Sequence, residues 1–234
     1  MSVLMSLRNI EKRYRAGEHD FYALKGVDLD IDEGEMVVIL GPSGAGKSTL
    51  LNLIGGMDSP TGGELLFEGE DIALYNDDEL TRFRALSVGV VFQFYNLIPT
   101  LTAYENVALM RDVKDDCEDP MRCLEMVGLS DHAHQFPAQM SGGEQQRVSI
   151  ARAIAKKPKL LLCDEPTGAL DTDTGREVLR LLLRVCREEG RTVVMVTHNA
   201  SFARIADTVI RVKNGKVVSQ VKNENPESAD VINY

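Results

Sequence analysis

Gly41-Pro42-Ser43-Gly44-Ala45-Gly46-Lys47-Ser48 lies between two runs that differ in kind. Before it, Glu35-Met36-Val37-Val38-Ile39-Leu40 is apolar and β-branched, which suits a strand buried on both faces. After it, Thr49-Leu50-Leu51-Asn52-Leu53-Ile54 continues as a helix until Gly55-Gly56 stops it. A strand, a glycine loop and a helix N-terminus in that order aim backbone N–H groups and the positive helix end at one point, which suits a polyphosphate. The glycines let the main chain approach phosphate oxygens without Cβ clashes. Lys47 offers a point charge to the β- and γ-phosphates, and the Ser48 hydroxyl is placed to coordinate Mg2+. A chance glycine turn would not arrive with both flanks in place. The implied ligand is a nucleoside triphosphate.

The chain has 234 residues, enough for one large domain or a domain with an inserted subdomain. Its 26 Lys plus Arg against 36 Asp plus Glu give a net charge of -10. That acidity argues against non-specific nucleic-acid binding and against direct binding to anionic lipid. The four cysteines, Cys117, Cys123, Cys163 and Cys186, form no C-x-x-C pair and read as reduced structural thiols. His132 and His134 have no cysteine nearby and belong on a solvated turn rather than in a zinc site. No apolar run reaches the ~20 residues that span a bilayer, and the N-terminus lacks a signal peptide's apolar stretch.

Upstream of the loop, Val3–Ile10, Tyr22–Leu24 and Val27–Ile31 alternate as short edge strands separated by Gly17 and Gly26. Tyr14, an aromatic among charges, either stacks on a base or is an ordinary half-exposed strand residue, with Phe21 and Tyr22 competing for the stacking role. Downstream, residues 64–72 predict a hairpin, 77–86 a polar helix and 88–92 a buried strand ending at Gln93. Phe94-Tyr95-Asn96-Leu97-Ile98-Pro99-Thr100 follows, an apolar loop that is either core filler or a docking surface. Residues from about 103 to 156 read as mostly helical, with breaks near Pro120 and Pro137, and interrupt the strand–helix alternation.

Ser141 and Glu144 form a capping box at the start of a further helix. Capping does not explain Gly142 and Gly143, each costing about 1 kcal/mol against Ala inside a helix. A close-approaching anion would explain them, so a second phosphate site and a plain cap both stand open. Leu160-Leu161-Leu162-Cys163 is a buried strand that delivers Asp164 and Glu165 at its C-terminal end, where ligands sit in open α/β sheets. Asp164 there can hold Mg2+ through water, and Glu165 can orient or deprotonate an attacking water. Residues 174–189 predict an amphipathic helix, 192–197 a buried strand ending at His198, and 208–218 a hairpin turning at Asn214-Gly215. His198 taken alone reads as a capped or surface histidine; at the same sheet edge as Lys47 and Glu165 it becomes a candidate γ-phosphate contact. Residues 222–230 are polar and read as a mobile tail.

In order, the loop at 41–48, Gln93, Ser141-Gly142-Gly143-Glu144-Gln145-Gln146-Arg147, the Leu160–Glu165 strand, Gly168-Ala169-Leu170-Asp171 and His198 resemble the ATP-binding subunit of an ABC transporter. The resemblance spans about residues 3–220. It implies an α/β P-loop NTPase with a mainly parallel sheet core, an N-terminal antiparallel β subdomain and a helical subdomain at about 95–156. One ATP-binding domain would cover 1–220, with a polar tail at 221–234. It implies, further, two such subunits sandwiching two Mg2+-bound ATP molecules head to tail, as a homodimer by expectation. Ser141, Gly142 and Gly143 would grip the γ-phosphate held by the partner's Lys47. Tyr14 would stack on adenine, and Gly41 through Thr49 would wrap the phosphates. Gln93 would join Ser48 and Asp164 around Mg2+ and sense the attacking water. Asp171 would communicate across the dimer, and His198 would steady the γ-phosphate. An integral membrane permease would dock near Gln93–Thr100 and hold the chain at the cytoplasmic face of the membrane. The family's usual Leu-Ser-Gly-Gly-Gln is here Met140-Ser141-Gly142-Gly143-Glu144.

More finely, residues 91–99 and 165–171 resemble the MacB/LolD/FtsE branch, whose ATPases drive membrane partners by mechanical strokes. The competing class is a soluble ABC ATPase acting on nucleic acid or ribosomes. Those usually carry paired domains, a coiled coil or a zinc insertion, and the acidic charge disfavours it. A small-molecule kinase would leave the Ser141 run and His198 without a role.

Overall fold

The computed structural model describes residues 2–16 and 19–232; the expected turn at Gly17 lies outside the described residues, as does the end of the tail. Strands β1 (Val3–Ala16) and β2 (His19–Asp32) are longer than the sequence suggests, and they pair antiparallel. β3 (Met36–Leu40) leads through the glycine loop into helix α1 (Lys47–Ile54), which stops at Gly55 as expected. β4 (Gly62–Phe67) and β5 (Glu70–Asp71) form the predicted hairpin, and helix α2 (Asp77–Ser87) precedes β6 (Val88–Val91). Then come α3 (Ala103–Ala108), α4 (Pro120–Met126) and α5 (Gly142–Ala155), joined by short 3-10 turns. β7 (Leu160–Asp164), α6 (Thr172–Arg187), β8 (Thr192–Thr197), β9 (Thr208–Lys213) and β10 (Lys216–Lys222) complete the fold.

Two sheets result. An antiparallel one runs β2-β1-β4-β5, and a central one runs β10-β9-β3-β8-β7-β6 with only β10 antiparallel. Alternation along β3 assigns the layers: Val37 and Ile39 pack with α1, α2 and the antiparallel sheet, while Met36, Val38 and Leu40 pack with α3 to α6. The helices between β6 and β7 therefore share their core with one sheet face, since Val107, Leu124 and Val148 belong to the same cluster as Val193 and Met195.

The mobile tail expected at 222–230 is corrected. Strand β10 runs to Lys222, and the chain beyond it folds back on α6 with Ala229 and Ile232 buried. Arg204 holds Glu227 at 2.7 Å, Arg180 holds Asp230 at 2.5 Å, and the Arg176 Nε donates to the Ile232 carbonyl at 2.9 Å. The polar composition that suggested mobility is one half of an ion-pair set whose other half lies on α6 and at Arg204.

Candidate active site

The central sheet puts four strand ends in line. Leu40 pairs with Thr197, Val196 with Asp164, and Cys163 with Val91. The residues that follow these ends are Gly41, His198, Glu165 and, one position further, Gln93. Parallel register alone thus gathers side chains from four distant stretches at the C-terminal edge.

At the loop, Gly46 has φ 103 and caps α1 without any side-chain hydrogen bond, and the helix has no acid in its first turn. Its N-terminal N–H groups and its dipole are left to a ligand. A Cβ at Gly46 would lie 2.6 Å from the Ala23 carbonyl oxygen, and one at Gly41 would lie 2.2 Å from that of Val212. Close backbone packing therefore needs these glycines as much as phosphate approach does. Lys47 is buried, and its Nζ donates to the Gly41 and Pro42 carbonyls at 2.8 and 3.0 Å, arched over the loop. Pro42, Ser43 and Gly44 are exposed, Ala45 is buried, and a 210 Å³ cavity is lined by Phe21, Gly44, Gly46, Lys47, Ser48 and Thr49.

Asp164 sits half-buried at the end of β7. Burial raises its carboxyl above the ordinary range, opposed by a hydrogen bond from Ser48 and the charge of Lys47. A desolvated carboxylate beside a hydroxyl is a hard oxygen pair of the kind Mg2+ takes, with its remaining ligands from phosphate and water. No cluster of three His, Cys, Asp or Glu suited to a metal occurs among the described residues. Glu165 adopts φ 48, an uncommon backbone for a non-glycine residue. Its Oε1 lies 2.9 Å from the His198 Nδ1, joining the expected water-positioning acid to the expected γ-phosphate contact. The Gln93 side chain abuts Gly168, in the loop after Glu165.

The Ser141 end of α5 is a capping box, as read from the sequence. Glu144 accepts from the Ser141 N–H at 2.7 Å, and the Ser141 hydroxyl accepts from the Glu144 N–H at 3.3 Å. The glycines find packing reasons within the chain. A Cβ on Gly143 would stand 2.0 Å from the Thr174 Cγ2, and one on Gly142 would stand 2.6 Å from the Tyr95 hydroxyl. Asp171 caps α6, accepting from the Asp173 and Thr174 N–H groups at 3.1 Å each, and its neighbours Leu170 and Thr174 lie against Gly142 and Gly143. The apolar loop after Gln93 divides: Leu97 packs on the core, whereas Phe94 is 72% and Ile98 41% exposed.

Sequence reasoning missed the residues that hold this loop. Asn106, fully buried, accepts from the Ile98 N–H and donates to the carbonyls of Ile98, Leu101 and Thr102. Arg152 donates to the carbonyls of Tyr95 and Asn96, and Gln146 to that of Phe92. An Asn and an Arg set inside otherwise apolar helical stripes were the available signals.

The sequence model of the ABC transporter family matches residues 24–168. An uncharacterized ABC transporter ATP-binding protein of Methanocaldococcus jannaschii, MJ0796, is 46% identical over 228 residues, covering 94% of this chain and 97% of that protein. The macrolide export ATP-binding/permease protein MacB of Rhodopirellula baltica is 45% identical over 226 residues, covering 94% of this chain but only 33% of MacB. Among solved structures, the dimeric post-hydrolysis state of the MJ0796 cassette bound to ADP and Pi superposes with a TM-score of 0.85 at 45% identity, covering 93% of this chain and 98% of that one.

Proposed function

The chain belongs to the ABC transporter family and is an ATP-binding, ATP-hydrolysing subunit of such a transporter, and from that premise we propose how its residues divide the work. The nucleotide phosphates lie on Gly41–Thr49 with Lys47 turned onto them. Ser48, Asp164 and Gln93 would hold the Mg2+ that accompanies the nucleotide, and when bound it would offset phosphate charge. Glu165, steadied by His198, orients the attacking water in line with the γ-phosphate. A second copy of the chain supplies its Ser141–Gly143 helix end to the same γ-phosphate, and Asp171 lies at that junction. The exposed Phe94 and Ile98 receive an integral membrane permease, whose presence makes the chain a peripheral component at the cytoplasmic face. No described helix is long and apolar enough to cross a membrane by itself. The work done is export or mechanical transmission, in keeping with the MacB relative.

The observation that carries this reading is the pairing of Glu165 with His198 at 2.9 Å beside the loop of Lys47. Glu165→Gln keeps the shape and removes the base. ATP binding is expected to persist while turnover falls about 10²- to 10³-fold. Unchanged turnover in a phosphate-release assay would remove Glu165 from the mechanism.

A further inference from the structure

Tyr14 is the most constrained of the aromatics near the loop, and the restraint comes from outside its own strand. Its hydroxyl donates to the Asp58 Oδ2 at 2.8 Å. The other oxygen of Asp58 accepts from the Lys12 Nζ at 2.5 Å and from the Ser59 N–H at 2.8 Å. Lys12 is only 8% exposed; its ammonium also donates to the Ser59 carbonyl at 2.7 Å and lies over the Tyr14 ring, 5.0 Å from the centroid. Burial would raise the Asp58 carboxyl, but the hydrogen bonds from Lys12, Tyr14 and Ser59 hold it below the ordinary range. The Tyr14 phenol is pushed up by burial and by Asp58, with Thr49 acting in the opposite sense.

Asp58 follows the end of α1, whose first turn carries Lys47, Ser48 and Thr49, and the Met57 N–H bonds back to the Asn52 carbonyl. Lys12 and Tyr14 stand on β1. The cluster therefore ties the ring to the same helix that presents the phosphate loop. With Lys12 over one ring face, a single face remains for a flat ligand. We propose that Asp58, braced by Lys12, is a positioning residue that fixes Tyr14 as a one-faced platform for the nucleotide base at a set distance from the phosphates. This rests on the reading that nucleotide phosphates occupy residues 41–49.

The test separates base from phosphate. Affinities for ATP and for inorganic tripolyphosphate, together with KM and kcat for ATP, are measured on Asp58→Ala, Tyr14→Phe, Tyr14→Ala and Phe21→Ala. Removing the platform in Tyr14→Ala, or its brace in Asp58→Ala, is expected to weaken ATP about tenfold, the scale of one base–aromatic stack. Tripolyphosphate affinity and kcat stay unchanged. Tyr14→Phe keeps both the ring and the Lys12–Asp58 pair, so it guards against a misfolded Asp58 variant; it is expected to weaken ATP roughly threefold, the scale of one hydrogen bond. Equal loss of ATP and tripolyphosphate, or no loss in Asp58→Ala and Tyr14→Phe, overturns the clamp. Loss confined to Phe21→Ala overturns the platform. A wild-type chain that binds neither probe would instead overturn the underlying nucleotide reading.

Discussion

Two helix N-termini of this chain carry the expected phosphate contacts, and they are built in opposite ways. α1 begins at Gly46 with no side-chain cap and no first-turn acid. α5 begins with a complete Ser141/Glu144 capping box and carries that acid in its first turn. The first is an anion site already open within one chain, because its N–H groups have nothing else to bond. The second is finished as a helix end, and the N–H groups of Gly142 and Gly143 are what it has left to offer. Both look similar in sequence, as glycines beside a serine. The difference lies in the cap, and on the proposed reading a single chain would bind nucleotide through α1 while α5 would act only on a phosphate that a second copy brings to it.

The largest expected effect falls on the open end. Gly46→Ala would force a side chain onto a backbone at φ 103 and into the Ala23 carbonyl. A loss of about 3 kcal/mol or more is expected in urea denaturation, with ATP affinity lost alongside it. A variant that keeps both would mean the loop can relax, and the contrast between the two ends would weaken.

The open end was legible from sequence because everything that defines it is local: strand, loop and helix occupy residues 35–54 without interruption. The acidic strand and the capping box were legible for the same reason, whereas His198 took its reading from the sheet edge it shares with Lys47 and Glu165. The family resemblance, rather than spacing, brought Gln93, Asp171 and the Ser141 run into one picture. What stayed hidden depends on contacts between residues far apart in the chain. Lys12 meets Asp58 across 46 positions, and Arg152 reaches Tyr95 across 57. The tail read as mobile because its acids show no partner until α6 folds beneath it. Gly143 was half-read: its need for space was evident, but the neighbour that fills that space, Thr174, lies in another helix.

Thr174 gives the next test. Gly143→Ala is expected to cost about 2 kcal/mol, because the new methyl would overpack against the Thr174 Cγ2. Thr174→Ser removes that methyl yet keeps the hydroxyl that donates to Asp171 at 2.7 Å. Combining the two is expected to restore most of the stability. If it does, ATPase activity of the double variant reports whether Gly143 must also be bare for a phosphate. Full activity would leave packing as its whole role, and lost activity in a stable protein would assign it to the partner's nucleotide.

The smallest effect concerns acid. Hydrogen bonds from the Ser141 N–H and hydroxyl hold the Glu144 carboxyl below its ordinary value, outweighing a slight burial, with His132 and Arg147 adding to the same side. A depressed carboxylate stabilises the fold fully above its unfolded pKa of about 4.3, and that contribution is lost as pH falls through the lower folded value. The α5 end should therefore stay closed as pH falls to the ordinary glutamate value and loosen only below it. The first turn of α1 contains no carboxylate and has no such loss of its own. Amide NMR shifts of Ser141 and Glu144 followed from pH 6 downward check this, with Glu144→Gln as the control that removes the titration. A midpoint at or above the ordinary glutamate value would mean the box is open in solution. The Ser141 end would then be as bare as α1, and the need for a second copy to complete the site would have to come from geometry alone.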